Sequence, residues 1–344
     1  LSMLKKLFLL STMALMTLGG LSSCNSEKSQ VLSLKSEALD SYVKLSADDV
    51  EYHISTEDDF VLMVSQKTCS ACTIAKKLLR TYISETNNLI YDIELSDYET
   101  ISTSNKALPE VKNTPTFLFF KGGSLLKKIE GFKNDYDDFK NTFNRYIYSR
   151  NLYTLNTYEK VSGNSDWYYV ENKSDTTILD KAISSNKDLT VYYSWLICSD
   201  CHNFHEKIYT KYINSLNSNS KAYEFEVTYF RSGKPGTKPN EGEDGYDEYM
   251  RWLNFATKYG FGEYRDGKIP ALVNYKEGKV NEYAIFANDS NVIEEDGTFR
   301  YDTAYYNEVK EIRASSKAEL KAQAEKLEIQ LVQNFMDKYI KGAI

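Results

Sequence analysis

Four cysteines lie in two tight pairs, Cys69 with Cys72 in KTCSAC and Cys198 with Cys201 in CSDC. A spacing of three lets the sulfurs close a disulfide without moving backbone, if each pair sits on a helix turn. The second pair runs on into HNFH, which sets His202 beside Cys201 and His205 three residues further on. By residue type this cluster admits three chemistries: a dithiol that cycles to a disulfide, a Cys/His zinc site, and a CxxCH attachment point for c-type haem. Four metal ligands within eight residues of one helix could hardly surround zinc tetrahedrally, and a haem site belongs in a small helical domain. A small secreted scaffold would spread its cysteines to close long loops, whereas these pairs stand 129 positions apart. Their layout suits chemistry better than stapling.

Hydrophobic patterning supplies the elements that must hold the pairs. FVLMVS (60–65) is an apolar run of strand length, the pattern of a strand buried on both faces, and it leads into the first pair. TIAKKLLRTYIS then predicts a helix, with Ile74, Leu78 and Tyr82 on its buried face. LIYDIEL (89–95) is a further strand, TPTFLFF-KGGS-LLKKIEGF a β-hairpin, and DYDDFKNTFNRYIYS a closing helix carrying Phe139, Phe143 and Ile147. The second half repeats the order. LTVYYSWL (189–196) leads into CSDC, and FHEKIYTKYINSL predicts a helix with Phe204, Ile208, Tyr212 and Leu216 on one stripe. AYEFEVTYF, the hairpin IPALVNY-KEGK-VNEYAIF and a helix over about 316–339 follow. Cys69 to Pro115 is 46 positions and Cys198 to Pro270 is 72. The extra length lies mostly in RSGKPGTKPNEGEDGYDEYMRW (231–252), a Gly/Pro/acid-rich loop turning into an amphipathic helix.

A chain of 344 residues is long for one domain and suits two. With 42% hydrophobic residues and 28 tyrosines it can build substantial cores, which excludes wholesale disorder. The net charge of −7 is dispersed, and no Lys/Arg cluster lies on an aromatic-rich stretch, so nucleic acid is excluded as a partner. Lys5 and Lys6 precede an apolar stretch over 7–21, the layout of an export signal. That stretch ends in LSSC, which resembles the lipobox of bacterial lipoproteins and implies lipidation at Cys24.

The order of an apolar strand, CxxC at a helix start, and a Pro-opened hairpin resembles thioredoxin over about 105 residues of the first half. The second half resembles it more loosely, through CSDC and Ile269-Pro270. The resemblance implies an α/β fold of two thioredoxin-like domains, each a central mixed sheet flanked by helices, the second with insertions. It also implies that Pro115 and Pro270 are cis and lie against the dithiols. Departures are clear: Thr68 and Ile197 replace the tryptophan before the pair, Ser-Ala and Ser-Asp replace the dipeptide inside it, and Met63 and Tyr192 replace the buried aspartate of the preceding strand. Asp92 is a weak candidate for that missing carboxylate.

The expected organisation is a signal peptide over 1–23, a flexible tether over 24–41, domains over 42–150 and 166–344, and a linker over 151–165. In CxxC at a helix N-terminus the first cysteine faces outward and the second lies inside, which makes Cys69 and Cys198 attacking and Cys72 and Cys201 resolving. Lys67, Lys76 and Lys77 should favour the Cys69 thiolate, while Asp200 opposes that of Cys198 unless a protonated His202 offsets it. His53 reads as a surface residue. The expected activity is extracytoplasmic, lipid-anchored thiol-disulfide exchange with exported proteins or a membrane electron donor, with no cofactor, since the sulfurs carry the electrons. The competing reading is a surface binding lipoprotein, similar to thioredoxin-like accessory proteins of bacteriocin export, whose dithiols do not turn over.

Overall fold

The computed structural model describes residues 30–37, 39–95, 109–160, 167–169, 175–216, 220–231, 237–286, 292–293, 299–305 and 308–341. The expected signal segment, Cys24 and the start of the tether lie outside these residues. In chain order the first half holds β1 (Val31–Lys35), β2 (Val43–Lys44), α1 (Ala47–Ser55), β3 (Phe60–Ser65), α2 (Ser70–Thr86), β4 (Tyr91–Glu94), β5 (Thr116–Lys121), β6 (Ser124–Glu130) and α3 (Tyr136–Tyr146). Then come β7 (Ile147–Thr154), β8 (Tyr158–Lys160), β9 (Trp167–Tyr169), α4 (Thr177–Ser185), β10 (Asp188–Ser194), α5 (Ser199–Phe204), a π-helical turn (His205–Tyr209) and α6 (Thr210–Ser215). The chain continues through β11 (Ala222–Glu226), α7 (Thr228–Arg231), α8 (Tyr246–Lys258), β12 (Ala271–Lys276), β13 (Lys279–Ile285), β14 (Val292–Ile293), β15 (Phe299–Tyr305), β16 (Glu308–Ala314) and α9 (Lys317–Met336).

Two mixed sheets result, ordered β6-β5-β3-β4-β2-β9-β8 and β1-β7-β11-β10-β12-β13. In each, the strand that leads into a CxxC pair is central, parallel to one neighbour and antiparallel to the hairpin strand on the other side. All six residues of β3 are buried, as expected for a strand covered on both faces. The fold is mixed α/β and compatible with a thioredoxin-like arrangement. No helix among the described residues is long and apolar enough to cross a membrane.

The sheets exchange their edges. β1 comes from the start of the chain yet pairs in parallel with β7 in the second sheet, Val31 opposite Ile147. The β8–β9 hairpin lies beyond β7 in sequence yet extends the first sheet through β2, Val43 opposite Trp167. Val31 and Ile147 are buried in the core that holds Met63 and Cys72, whereas Leu152 belongs to the core that holds Tyr192 and Phe204. The pair β1–β7 therefore runs from one core into the other. Burying a side chain such as Val31 is worth about 1.5–3 kcal/mol.

This exchange corrects two expected boundaries. Residues 31–35 are strand rather than tether, because VLSLK carries an apolar side chain for the first core and a backbone edge for β7. Of the expected linker over 151–165, residues 151–154 and 158–160 are strand: β7 starts directly after α3 and continues to Thr154, and β8 follows, while 161–165 lie outside the described residues. The stripe of α2 is corrected too. Its buried residues are Cys72, Ala75, Leu79, Tyr82 and Ile83, while Ile74 is 38% exposed. A strict four-residue repeat drifts about 40° per step around a helix of 3.6 residues per turn, so Ile74, Leu78 and Tyr82 cannot all face one core.

Deleting residues 30–35 removes a ladder as well as a core side chain. We expect a lower melting temperature and a loss of amide protection over 147–154 in hydrogen exchange; unchanged protection there would contradict the pairing.

Candidate functional site

Each cysteine pair opens a helix. Cys69 is the N-cap of α2 in extended conformation, and its sulfur accepts the N–H of Cys72 at 3.0 Å. Cys198 caps α5 in the same way and accepts the N–H of Cys201 at 3.2 Å. A sulfur therefore takes the place of the usual capping oxygen and meets the positive end of the helix. In both pairs the first cysteine is partly exposed and the second buried. Cys69 and Cys72 form a disulfide, while Cys198 and Cys201 are free thiols. The peptide bonds Thr114-Pro115 and Ile269-Pro270 are both cis. Cys69 Sγ lies 3.4 Å from the carbonyl oxygen of Thr114, which places the Pro115 turn against the first pair. The Pro270 turn reaches the second pair through Lys268, whose Nζ lies 3.8 Å from Asp200 Oδ2.

The electrostatics differ from the expectation in three respects. Lys76 is engaged by Asp92, Nζ to Oδ2 at 3.0 Å, and is not directed at Cys69. Asp200 is offset by Lys268. The ring of His202 hydrogen-bonds the Leu196 carbonyl through Nε2 instead of facing Cys198. The Cys198 thiol is held down at about 7, chiefly by a hydrogen bond from the Cys201 thiol and also by backbone N–H groups, against burial and the Asp200 charge. Burial pushes the Cys201 thiol well up, and the neighbouring Cys198 sulfur pushes it in the same direction. The partly exposed sulfur is thus the one that ionises.

A shared feature of the two pairs emerges from strand register. Met63 and Tyr192, which stand where the resemblance would put an acid, are register partners of Asp92 on β4 and Glu224 on β11. Partners on adjacent parallel strands face the same side of the sheet. In both halves a buried carboxylate thus occurs one strand over. Burial raises the Asp92 carboxyl, with Lys76 acting against that rise. Glu224 accepts a hydrogen bond from Ser194 Oγ and lies 3.8 Å from His205 Nε2.

Glu224, His205 and Cys201 line a cavity of about 450 Å³ whose other walls include Leu32, Asp58 and Lys121. The first half therefore closes the back of the second dithiol. Asp58 precedes β3 and Cys69 follows it, so this cavity meets the end of β3 remote from the first pair, across roughly 20 Å of strand. His205 is half-buried and ring-stacked with Tyr192, not a solvated helix residue. His53 is buried rather than at the surface, with Nδ1 2.8 Å from Asp58 Oδ2 and its ring against Phe60 and Tyr91.

Sequence reading missed Glu224, Lys268, Glu226 and Arg231. Only register could have found Glu224 and Glu226, both on β11, while Arg231 ends α7 and Lys268 lies in the turn before Pro270. No protein-family model matches the sequence, and a search of curated proteins finds no match. Solved structures similar to part of the chain include a mutant thioredoxin from Halobacterium salinarum, 19% identical over 31% of this chain and 91% of that one, with a TM-score of 0.25. Thioredoxin O1 from Arabidopsis thaliana is 20% identical over 31% and 97%, with a TM-score of 0.25. Mitochondrial thioredoxin 3 from Saccharomyces cerevisiae is 19% identical over 30% and 93%, again at 0.25. The functional reading rests on the surroundings of the cysteines themselves.

Glu226 accepts the N–H of Leu196 at 3.3 Å and that of Thr228 at 2.9 Å, and Thr228 Oγ1 in turn accepts the Tyr52 hydroxyl of the first half at 3.1 Å. Burial pushes its carboxyl from 4.5 up to about 7. Between those pH values the native state holds more protons than the unfolded chain, so this group's contribution falls as pH rises. Glu226→Gln keeps the acceptor oxygen and removes the charge. Its stability relative to the unmodified chain should rise between pH 5 and pH 8, by at most on the order of 3 kcal/mol. Thermal melts at the two pH values check this, and a gap that stays constant would contradict it.

Proposed function

We propose that this chain exchanges thiols and disulfides through two thioredoxin-like units. Cys69 and Cys198 are the attacking sulfurs, Cys72 and Cys201 the resolving ones, and Pro115 and Pro270 form the opposite wall of each site. The observation that carries the reading is the shared geometry: a partly exposed sulfur capping a helix, hydrogen-bonded to the N–H of a buried cysteine one turn on. A structural staple has no need to keep one sulfur accessible and poised to ionise. With its thiol at about 7, Cys198 is about half thiolate at neutral pH, against a few per cent for an ordinary cysteine near 8.5.

In the exchange, the Cys198 thiolate attacks a substrate disulfide, forming a mixed disulfide and expelling one substrate sulfur, which takes a proton from solvent. Cys201 then gives up its proton and attacks Cys198 Sγ. The second substrate sulfur leaves, so two electrons pass from the dithiol to the substrate. Run backwards, the same steps oxidise a substrate dithiol. We read the partners as exported proteins that bear thiols or disulfides, or a membrane electron donor. The LSSC motif at Cys24 supports an extracytoplasmic, lipid-anchored location. Cys24→Ser should then release the protein from membranes on fractionation.

The test uses the full chain. Cys72→Ser and Cys201→Ser should each trap a mixed disulfide with a protein substrate, and alkylation of Cys198 should reach half its maximal rate near pH 7. If the intact chain neither reduces nor oxidises any protein dithiol, and neither variant traps a partner, the reading falls. An accessory binding protein is then the better description.

A further inference from the structure

The insertion that lengthens the second half begins at Arg231 and ends at Trp252, and these two residues meet. The Arg231 guanidinium carbon lies 4.9 Å from the centroid of the Trp252 ring and 5.3 Å from that of Trp195. Both are within the range of a cation–π interaction. Among the described residues no carboxylate pairs with Arg231, and its buried Nε has no hydrogen-bond partner.

Both rings belong to the surroundings of the dithiol. Trp195 lies three residues before Cys198, and its carbonyl accepts the Cys198 N–H at 3.0 Å. Trp252 donates its indole N–H to the carbonyls of Asp266 at 2.8 Å and Gly267 at 3.1 Å, in the turn that leads to Lys268 and Pro270. Gly267, at φ +87°, has no room for a side chain: an added Cβ would lie 2.5 Å from Ala256 Cβ and 2.9 Å from Trp252 Nε1. Trp195, Cys198 and Cys201 all border the one core that contains Trp252. A carboxylate partner would cancel the charge of Arg231, whereas two indole faces hold the cation and leave it positive.

We propose that Arg231 is a positioning charge for the second dithiol, held by Trp195 and Trp252 so that its uncancelled field favours the Cys198 thiolate. The insertion is then the device that brings a cation to a site whose own helix offers Asp200. Burial lowers the proton affinity of Arg231, and the fields of the Cys198 and Cys201 sulfurs act against that loss. Of the other charged or titratable groups, burial keeps the Tyr192 hydroxyl from ionising, the Tyr249 hydroxyl donates to Asp266, and three more are engaged near Cys198. Asp200 lies by Lys268, His202 is on the Leu196 carbonyl, and Glu226 is on the Leu196 N–H.

The inference rests on reading CSDC as an exchange site, but its test reads the thiolate directly and requires no turnover. In the reduced full chain carrying Cys24→Ser, Cys69→Ser and Cys72→Ser, the ultraviolet thiolate absorbance follows the second pair alone. Arg231→Met should raise the Cys198 midpoint by about one unit, and Arg231→Lys should leave it close to the unmodified value. Alkylation at pH 7 should slow several-fold in the Met variant and little in the Lys variant. Arg231→Gln carries the same expectation as Arg231→Met if the latter does not fold. An unchanged midpoint in a folded neutral variant overturns the proposal, and so does a Lys variant that shifts as far as the Met one. Loss of the fold in both neutral variants would make Arg231 a structural residue and overturn it as well. A shifted midpoint in a chain that exchanges no disulfide would leave the charge standing and remove the exchange reading.

Discussion

The parallel ladder between Val31–Lys35 and Ile147–Thr154 is the contact on which the rest of the molecule depends. One end of it packs in the first core and the other in the second. Around it the first half is fastened by Asp59, which accepts the N–H of Leu32 at 2.8 Å, and by Lys121, which donates to the Gln30 carbonyl at 2.9 Å. These bonds bring Asp58 and Lys121 to the wall of the cavity behind Cys201. The second site is therefore built from both halves, although its two cysteines come from one.

The two helix caps are alike in backbone and differ in what surrounds them. At the first pair a lysine one turn beyond Cys72 is committed to a buried aspartate. At the second, an acidic residue inside the pair lies by a lysine from the proline turn, and a guanidinium is held between two tryptophans. Coulomb interactions near partly buried groups are several times stronger than in water, so these placements give the two caps different electrostatic surroundings. Tyr192 adds to the difference. It fills the position of Met63 with a hydroxyl whose ionisation is suppressed by burial, and thus offers bulk without charge.

Much of this was legible in the residues, and the limits have physical causes. FVLMVS and LTVYYSWL announced buried central strands because such strands read as unbroken apolar runs. KTCSAC and CSDC announced helix starts beside them. The edge strands were not legible: VLSLK is short and half polar, and what makes it a strand is a partner 116 positions away. Periodicity could not show that exchange, nor could it tell a tether from an edge. Asp92 was visible as a candidate only because it lies in a clear strand. Glu224 sits in AYEFEVTYF, where alternation gives no reason to prefer one glutamate over the other until the register with Tyr192 is known. His53 looked solvated among polar neighbours, yet the turn after α1 folds Asp58 back onto its ring.

The exchanged edges also decide how the molecule bears load. Tension applied at residue 30 enters through β1, which is hydrogen-bonded to the second sheet along one side and joined to the first half by Asp59, by Lys121 and, at its end, by backbone bonds of Leu34 and Ser36 to Leu89 and Asn87. A pull from that end is therefore divided between a parallel ladder loaded in shear and the bonds that hold β1 to the first half. Mechanically, β1 is the shared handle of both halves.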